Sequence, residues 1–474
     1  MAEEARRSGA ESNPPPQPDM ESSQVRPAAV RYDRTDWLSF AVTTVIALSV
    51  YLFTLAPSLT LEDSGIFSVS AMYAGVPSPP GYPAWTLYAW LFIKLLPFSN
   101  IAWRVAVSSA AAIALACGLV AMMVSRCGPV LFADAPACSR LGPVEQQWLR
   151  GVCGGVAGLL LAFSAAVWDT AVVAEIWALS LLLFVSALCL LTRWMLGPER
   201  RWPLFAAFFL LGLLLTDSQE MIVALPALVG AIIVSDRKLG RDVALTVLLL
   251  AGLATVVNQW SVWIVFPSRV NWPITTGFVS AFALGLILVI RHRRFGSEWK
   301  SVLLCGAAFL QGIALYLYLP IASMTNPPVN WGYPRTAEGF YHVLARGQFE
   351  RAMPTNGLWS FGAQLLMYGE IAVRKVGWPC AALAVLSLCL LHRMSSTGRR
   401  WMLGLFAVWL GVAPLMVAEV NPPPDRQARE LIVLYFTASY AVLAVWAGVG
   451  MIWLGATLSR TNGGQPVQML LREK

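Results

Sequence analysis

The sequence predicts an all-α protein that crosses a membrane about twelve times, at roughly 20 residues per span. Three observations lead there. Of 474 residues, 57% are hydrophobic and only 13% charged, where a soluble domain carries about 25% charged residues. The apolar residues gather into stretches at 37–56, 103–125, 151–167, 172–194, 202–216, 220–235, 243–266, 275–290, 301–321, 377–392, 401–418 and 431–457. The intervening loops divide the cations unevenly: 24 of the 34 Lys and Arg fall on one set of loops and 10 on the other. This composition excludes a disordered chain, a coiled coil and an ordinary soluble enzyme.

The elements follow in chain order. Residues 1–36 are polar, with Pro14, Pro15, Pro16 and Pro18, and read as a disordered tail. The first apolar run begins only at Trp37, which argues against a signal peptide. Residues 37–458 form the transmembrane domain. Its first long loop, 57–102, contains an apolar stretch, Tyr82–Phe98, broken by Pro83 and Pro97 and carrying Lys94; it reads as an interfacial or re-entrant helix. The second long loop, 322–376, carries an amphipathic stretch from Glu338 to Arg351. Residues 459–474 are a second polar tail. The richer set of cations marks the cytoplasmic side, so both tails are expected there and both long loops outside. The net charge of +8 is then the cation excess beside spans, and no nucleic-acid partner is expected.

The eight cysteines, at 117, 127, 138, 153, 189, 305, 380 and 389, lie in apolar runs or in a loop assigned to the cytoplasm, with no Cys-x-x-Cys pair. Neither a disulfide framework nor a metal site is indicated. A cysteine-free exterior is compatible with a bacterial inner membrane.

Chemistry is expected on the exterior face. Glu62-Asp63-Ser64-Gly65 follows the first span; adjacent carboxylates beside a membrane are costly unless solvated or used, and Asp63-Ser64-Gly65 also suits a plain turn. Ser78-Pro79-Pro80-Gly81-Tyr82-Pro83 is a rigid corner, able either to start the interfacial helix or to hold the acidic loop in place. Asn326-Pro327-Pro328-Val329-Asn330-Trp331-Gly332-Tyr333 offers amides and aromatic rings of the kind that bind sugars, although Trp and Tyr also anchor membrane edges. Trp168, Asp169 and Glu175 lie at one external turn, Asp217 and Glu220 at the next, and Asp425, Arg426 and Arg429 before the last span. His342 is the one external histidine. Each charge alone suits a solvated loop; convergence is what a site requires. No nucleotide-binding or hydrolase motif of the P-loop, Rossmann, zincin or nucleophile-elbow kind occurs, so a donor is expected to arrive through the membrane or from outside.

In this order the segments resemble a known family. They are Leu61–Gly65, Gly75-Val76 with Pro79–Pro83, Trp168 with Ala174–Trp177, Tyr318-Leu319-Pro320, Asn326-Pro327 with Asn330–Gly332, and Asp425 with Arg429 before Tyr435. From about residue 37 to about 455 the chain is similar to domain-of-unknown-function family 2723, multi-pass relatives of the protein O-mannosyltransferases in the GT-C glycosyltransferase class. It departs at Ile66, at Ser78 and at Thr216–Gln219, where many members carry Glu, His and a His-containing turn.

The resemblance implies a GT-C-like fold and transfer of a sugar, mannose among the candidates, from a polyprenyl-phosphate donor to a protein or glycan acceptor. It places Asp63, with Glu62 next to it, as the catalytic carboxylates, acting as base or stabiliser at the acceptor hydroxyl. Tyr82, Trp168, Glu175, Asn330, Trp331, Asp425, Arg426 and Arg429 are the expected substrate-binding residues. No cofactor is expected besides the lipid-linked substrate, with a divalent metal left open. The partners are that donor, the acceptor and the bilayer. The rival readings are a transporter or flippase for a lipid-linked or polar solute, and a non-catalytic relative. Transporters put ionisable groups at mid-membrane and often repeat internally, whereas here the conspicuous charges sit at span ends and no repeat is evident.

The charge division makes a topological prediction. Reporter fusions after residues 140, 238 and 295 should read cytoplasmic, and fusions within 322–376 exterior. An exterior signal at 238 would overturn the assignment.

Overall fold

The computed structural model describes residues 32–60, 63–131, 141–250, 296–346, 354–355, 357–423, 429–430 and 432–461. Among these the chain is helical, with no strand and one isolated bridge, between Val76 and Asn330. The helices are α1 (Arg34–Thr54), α2 (Ser64–Tyr73), α3 (Pro83–Leu95), α4 (Ile101–Leu131), α5 (Pro143–Ala162), α6 (Ala165–Ala171), α7 (Trp177–Leu196), α8 (Trp202–Leu215) and α9 (Ala224–Ser235). They continue with α10 (Trp299–Ile313), α11 (Tyr318–Met324), α12 (Ala337–Leu344), α13 (Leu358–Val376), α14 (Trp378–Cys389), α15 (Ser396–Leu410), α16 (Met416–Val420) and α17 (Thr437–Thr461).

Six helical segments among the described residues are long and apolar enough to cross a bilayer: Arg34–Thr54, Ile101–Gly128, Trp177–Leu196, Trp299–Met324, Ser396–Val420 and Val433–Leu458. The count rises to eight if α5 with α6, bent by 71°, and α13 with α14, bent by 115°, are each one span. The twelve expected spans are therefore not confirmed among the described residues. Most of 243–266 and all of 275–290 lie outside the described residues. The expected span at 202–216 is the 14-residue α8, about 21 Å long at 1.5 Å per residue, against a hydrocarbon layer of about 30 Å. The expected interfacial segment is the 13-residue α3, with Pro83 at its first turn, where a proline loses no helix hydrogen bond. Within 322–376 the structure adds α13, a 19-residue helix.

The centre of the bundle is α4, which packs against α1, α3, α5 and α7. Small residues make this possible: a Cβ on Gly154 or Gly158 of α5 would lie 2.5 Å from a carbonyl oxygen of α4. Close backbone approach over small residues is how helices associate where no water drives them together. The outer face of α1, with Trp37, Leu38, Val45 and Phe53, is exposed and apolar, as a lipid-facing surface must be. Six of the seven described cysteines are buried and none is bridged.

One end of α1, α4 and α5 is tied by charge. Asp33 caps α1 by accepting from the amides of Thr35 and Asp36, and Asp36 returns the bond by accepting from the Asp33 amide, a capping box. Arg150 of α5 donates to both carboxylates, at 2.8 Å for Asp36. Ser125 of α4 donates to Asp36 at 2.7 Å, and Arg126 stands 3.9 Å from the same carboxylate. Burial works to raise the Asp33 carboxyl, but the Arg150 hydrogen bond and charge and the bonds with the Asp36 and Thr35 amides together outweigh it and hold the group below its usual range. Asp36 is fully buried, so its partner cannot be lost cheaply. Arg150→Met should destabilise the protein by about 3 kcal/mol, the scale for orphaning a buried charge, measured as a lower melting midpoint in detergent. Adding Asp36→Asn should recover part of that loss; no recovery would mean that packing, not charge, sets the cost.

Candidate functional site

At the opposite end of these helices the structure joins two of the segments singled out in the sequence. The Val76 amide donates to the Val329 carbonyl at 2.9 Å, and the Trp331 amide donates to the Val76 carbonyl at 3.0 Å. The Tyr318 hydroxyl donates to the Ala74 carbonyl. Asn330 donates through its side-chain nitrogen to the Ser323 carbonyl at 3.2 Å. Glycine is required at the crossing, since a Cβ on Gly75 would sit 2.5 Å from the Val329 oxygen. The Pro79–Pro80 peptide is cis and Gly81 has φ +96°. Leu319 fills the space where a Gly81 side chain would stand. The corner thus delivers Tyr82, itself at φ +40°, to the first turn of α3. A non-glycine residue in this left-handed region is strained and held by its surroundings.

Tyr82 links two acidic regions. On one side its ring meets Phe67 edge-on at 6.3 Å, and Phe67 packs on Trp85 at 5.1 Å. Asp63 stands one helical turn before Phe67, whose amide donates to the Asp63 carbonyl. The Asp63 residue is exposed and its side chain does not cap α2, so the carboxylate points to no bond within the helix start. On the other side, Tyr82 lies within electrostatic reach of Arg346, Glu220, Asp217 and Tyr435. Burial raises its phenol well above the usual value, which leaves it a neutral hydrogen-bonding group.

The turn after α8 holds a fully enclosed carboxylate. Asp217 is fully buried. The Ser180 hydroxyl of α7 donates to its Oδ2 at 2.6 Å and lies 2.7 Å from the Ser218 hydroxyl; its Oδ1 has no hydrogen-bond partner among the described residues. Burial pushes the Asp217 carboxyl up to about 8, with the Ser180 bond partly offsetting it and Glu220 adding to it. Gln219 donates to the Tyr316 hydroxyl and to the Leu344 carbonyl, both at 3.1 Å. Glu220 Oε2 lies 3.4 Å from Arg346 NH1. Glu419, on the short helix after the π-turn around Pro414, feels Glu220 and Arg346, and Tyr435 feels Glu220, Arg346 and Glu419. Among the described residues no three His, Cys, Asp or Glu side chains are grouped to hold a metal ion.

The expected site residues are distributed unevenly around this cluster. Tyr82 belongs to it. Glu175 is near enough to act on Asp217, and its carbonyl is held by Trp85 Nε1 at 3.1 Å and Ser109 Oγ at 3.3 Å. Asn330 and Trp331 form the wall behind the corner. Trp168 instead packs at the end of α1, donating to Thr54 at 3.2 Å and touching Tyr51 and Phe163. Arg429 stands 3.8 Å from Glu370, which Arg374 also holds at 2.6 Å. Glu62, Asp425 and Arg426 lie outside the described residues. Sequence reasoning passed over Ser180, Gln219, Arg346 and Glu419. Only Glu419 carried a signal, as a lone carboxylate in an apolar helix.

The model of the family described as "Protein O-mannosyl-transferase TMEM260 N-terminal domain" matches residues 63–241, a range that runs from Asp63 through Tyr82, Glu175, Asp217 and Glu220. The chain is also similar to the Mus musculus protein named "Protein O-mannosyl-transferase TMEM260", with 25% identity over 433 residues. That match covers 87% of this chain and 49% of the mouse protein, so the chain spans about half the length of this curated relative. No solved structure matches. These similarities are to O-mannosyltransferase-like proteins and do not single out family 2723, and the long apolar helices support an integral membrane protein.

Asp217 makes a pH prediction. Its folded value, about 8, lies above the ordinary value near 3.9 of an unfolded aspartate, so the folded state binds the extra proton between the two. Stability should therefore be full below about pH 4 and fall as pH rises through 8, at most about 1.4 kcal/mol per pH unit for one proton. Asp217→Asn, which keeps the Ser180 bond, should flatten this slope and melt higher than the wild type at pH 9. Parallel melting curves from pH 5 to 9 would place the titration elsewhere.

Proposed function

We propose that this chain is a membrane glycosyltransferase, moving a sugar from a polyprenyl-phosphate donor to a protein or glycan acceptor on the external face. Mannose is the proposed sugar, on the printed name of the mouse relative. The observation that carries the reading is the family match that begins at Asp63 and takes in the turns that converge on Tyr82. The membrane-facing apolar helices suit a donor whose lipid tail stays in the bilayer. A bacterial inner membrane, with both tails cytoplasmic, is the proposed location, and the twelve-span GT-C arrangement is its proposed architecture.

In this reading the bond between the sugar's anomeric carbon and the donor phosphate oxygen breaks, and its electron pair leaves with the phosphate. The acceptor hydroxyl oxygen bonds to the anomeric carbon, and its proton passes to the Asp63 carboxylate. Positive charge develops at the sugar and negative charge at the phosphate, so a carboxylate is needed near the first and a cation near the second. Asp63 is suited to the first role because its carboxylate is exposed and uncommitted to the α2 cap, one turn from the residue that packs on Tyr82. Glu62 is its proposed helper. Asn330 and Trp331 are proposed to face the sugar or acceptor. Arg426 and Arg429 are proposed to draw the anionic headgroup to the membrane edge, with Asp425 beside them.

The test is transfer from polyprenyl-phosphate mannose in membranes with expression matched. Asp63→Asn should insert normally, at a stability change of roughly ±0.5 kcal/mol, and lower transfer by about 10²- to 10⁴-fold, the worth of general base catalysis. Glu62→Gln should do less. Full transfer by Asp63→Asn would remove Asp63 from the chemistry.

A further inference from the structure

On the flank of the bundle a groove runs between α1 and α5. The Ser39 hydroxyl donates to the Gly151 carbonyl at 3.1 Å, and a Cβ on Gly151 would lie 2.9 Å from the Thr35 methyl, so the two helices touch over small residues. Against this seam lies a cavity of about 440 Å³. Leu38 and Val42 of α1 and Val152 of α5 line it, all exposed and apolar. From Thr35 to Thr43 it follows α1 for about 12 Å, at 1.5 Å per residue. Thr35, Gln147 and Trp148 stand together at its mouth. Trp148 and the nearby Trp37 are both exposed, as are the aromatic rings that mark a membrane surface. Arg34 shares a face of α1 with Leu38 and Val42, at four-residue spacing, which sets an exposed cation above the mouth. No carboxylate lines the cavity, and the ion pairs at this end join Asp33 and Asp36 to Arg126 and Arg150.

We propose that this groove holds one acyl chain of an anionic phospholipid, with the headgroup phosphate on Arg34 and the chain running down between α1 and α5. The inference stands apart from the glycosyltransferase reading, because the groove opens at the Arg150 end of the helices, away from Asp63 and Tyr82. A guanidinium holds a phosphate by charge-assisted bonds, and the Thr35 hydroxyl and Gln147 amide are donors for phosphate or glycerol oxygens. Below them the apolar walls accept methylenes and offer no charge. The mouth also opens on the side that carries 24 of the 34 cations, where anionic headgroups are drawn to a basic surface. A chain seated there would press α1 and α5 together beside the Arg150 clasp. Thr43 separates a lipid from a second protein helix. It lines the groove, is buried, and has a hydroxyl without a partner among the described residues. A hydrocarbon chain needs nothing from that hydroxyl, which can turn to the carbonyl four residues back on its own helix. A helix packed over Gly151 and Gly155 would instead use it as an interhelical bond.

Binding is read on the purified full chain in neutral detergent, as the rise in melting midpoint with added lipid and as lipid retained in native mass spectrometry. The probes are phosphatidylglycerol, phosphatidylcholine and glycerol phosphate. Wild type should respond to phosphatidylglycerol at concentrations where the other two do not act. Arg34→Gln should raise the concentration needed roughly fivefold, the worth of one cation at an anionic lipid surface. Gly155→Leu should abolish the response by filling the groove. A Cβ there meets Thr43 Oγ1 at 3.7 Å and Ser39 Oγ at 4.0 Å, both ordinary contacts, so α5 need not move. If that variant fails to fold, Val152→Trp, at an exposed wall position, makes the same block from the other side. Thr43→Val, of nearly the same shape, should respond as wild type does. No response by the wild type would overturn the proposal, and so would an unchanged response in both blocking variants. Equal action by phosphatidylcholine, with no effect of Arg34→Gln, would overturn the anionic assignment. Equal action by glycerol phosphate would overturn the acyl chain. Loss of the response in Thr43→Val, or wild-type dimers that Gly155→Leu separates, would put the helix of a second copy in the groove instead.

Discussion

A charge inside an apolar helical bundle must be paired or neutralised by a proton, because low dielectric makes an isolated ion prohibitively costly. The two ends of this molecule meet that constraint differently. At the end formed by the start of α1, Arg150 is enclosed between Asp33 and Asp36 with Ser125 and Arg126 alongside. Arg150, Asp33, Asp36 and Ser125 have short, committed partners there, and the result is a clasp across three helices. At the other end, Asp217 is buried with one oxygen unpartnered and takes up a proton instead, while Glu220 and Arg346 share a longer contact. The first arrangement suits structure.

The connection between the ends is α4. Its packing on α1 and α5 depends on backbone approach over Gly154 and Gly158, and the clasp holds those helices in register. The far ends of the same elements then set where the turn at Glu175, the corner at 78–82 and the turn at 216–220 can meet. Ser109 of α4 and Trp85 of α3 both bond the Glu175 carbonyl, so the α6–α7 turn is held by the bundle and not by its own conformation. The π-turn around Pro414, where the ring removes a backbone donor, ends the α15 segment so that Glu419 reaches the same region.

Much of the architecture could be read from the residues. The apolar runs correctly placed the helices that begin near residues 34, 101, 177, 299, 396 and 433, because a bilayer-length apolar run has few alternatives to a helix. Pro83 announced the start of α3, and the short length of α8 was visible as a 15-residue apolar run. Hydropathy could not show how this run ends, at a Thr216–Gln219 turn whose Asp217 and Gln219 side chains bond Ser180, Tyr316 and Leu344. Nor could hydropathy reveal the 115° break between α13 and α14, which lies at Gly377 with φ +84°.

The candidate site divides along the same line. Composition and order alone marked an acidic loop at Asp63, the proline corner before Tyr82 and the amide-rich loop at Asn330, since each is an unusual run of residues that physics allows only at a turn or a site. That the corner and the Asn330 loop are joined through Val76 was decided by tertiary contact, as was the meeting of Tyr82 with Asp217, Glu220, Arg346 and Glu419. These four are separated by up to 202 positions in the chain, and each alone is an ordinary charge on a turn or helix end. Local sequence determines which segments are apolar, stiff or charged. Which charges share a volume depends on helix packing that closes over hundreds of residues, and a charge's chemistry depends on its neighbours more than on its own type.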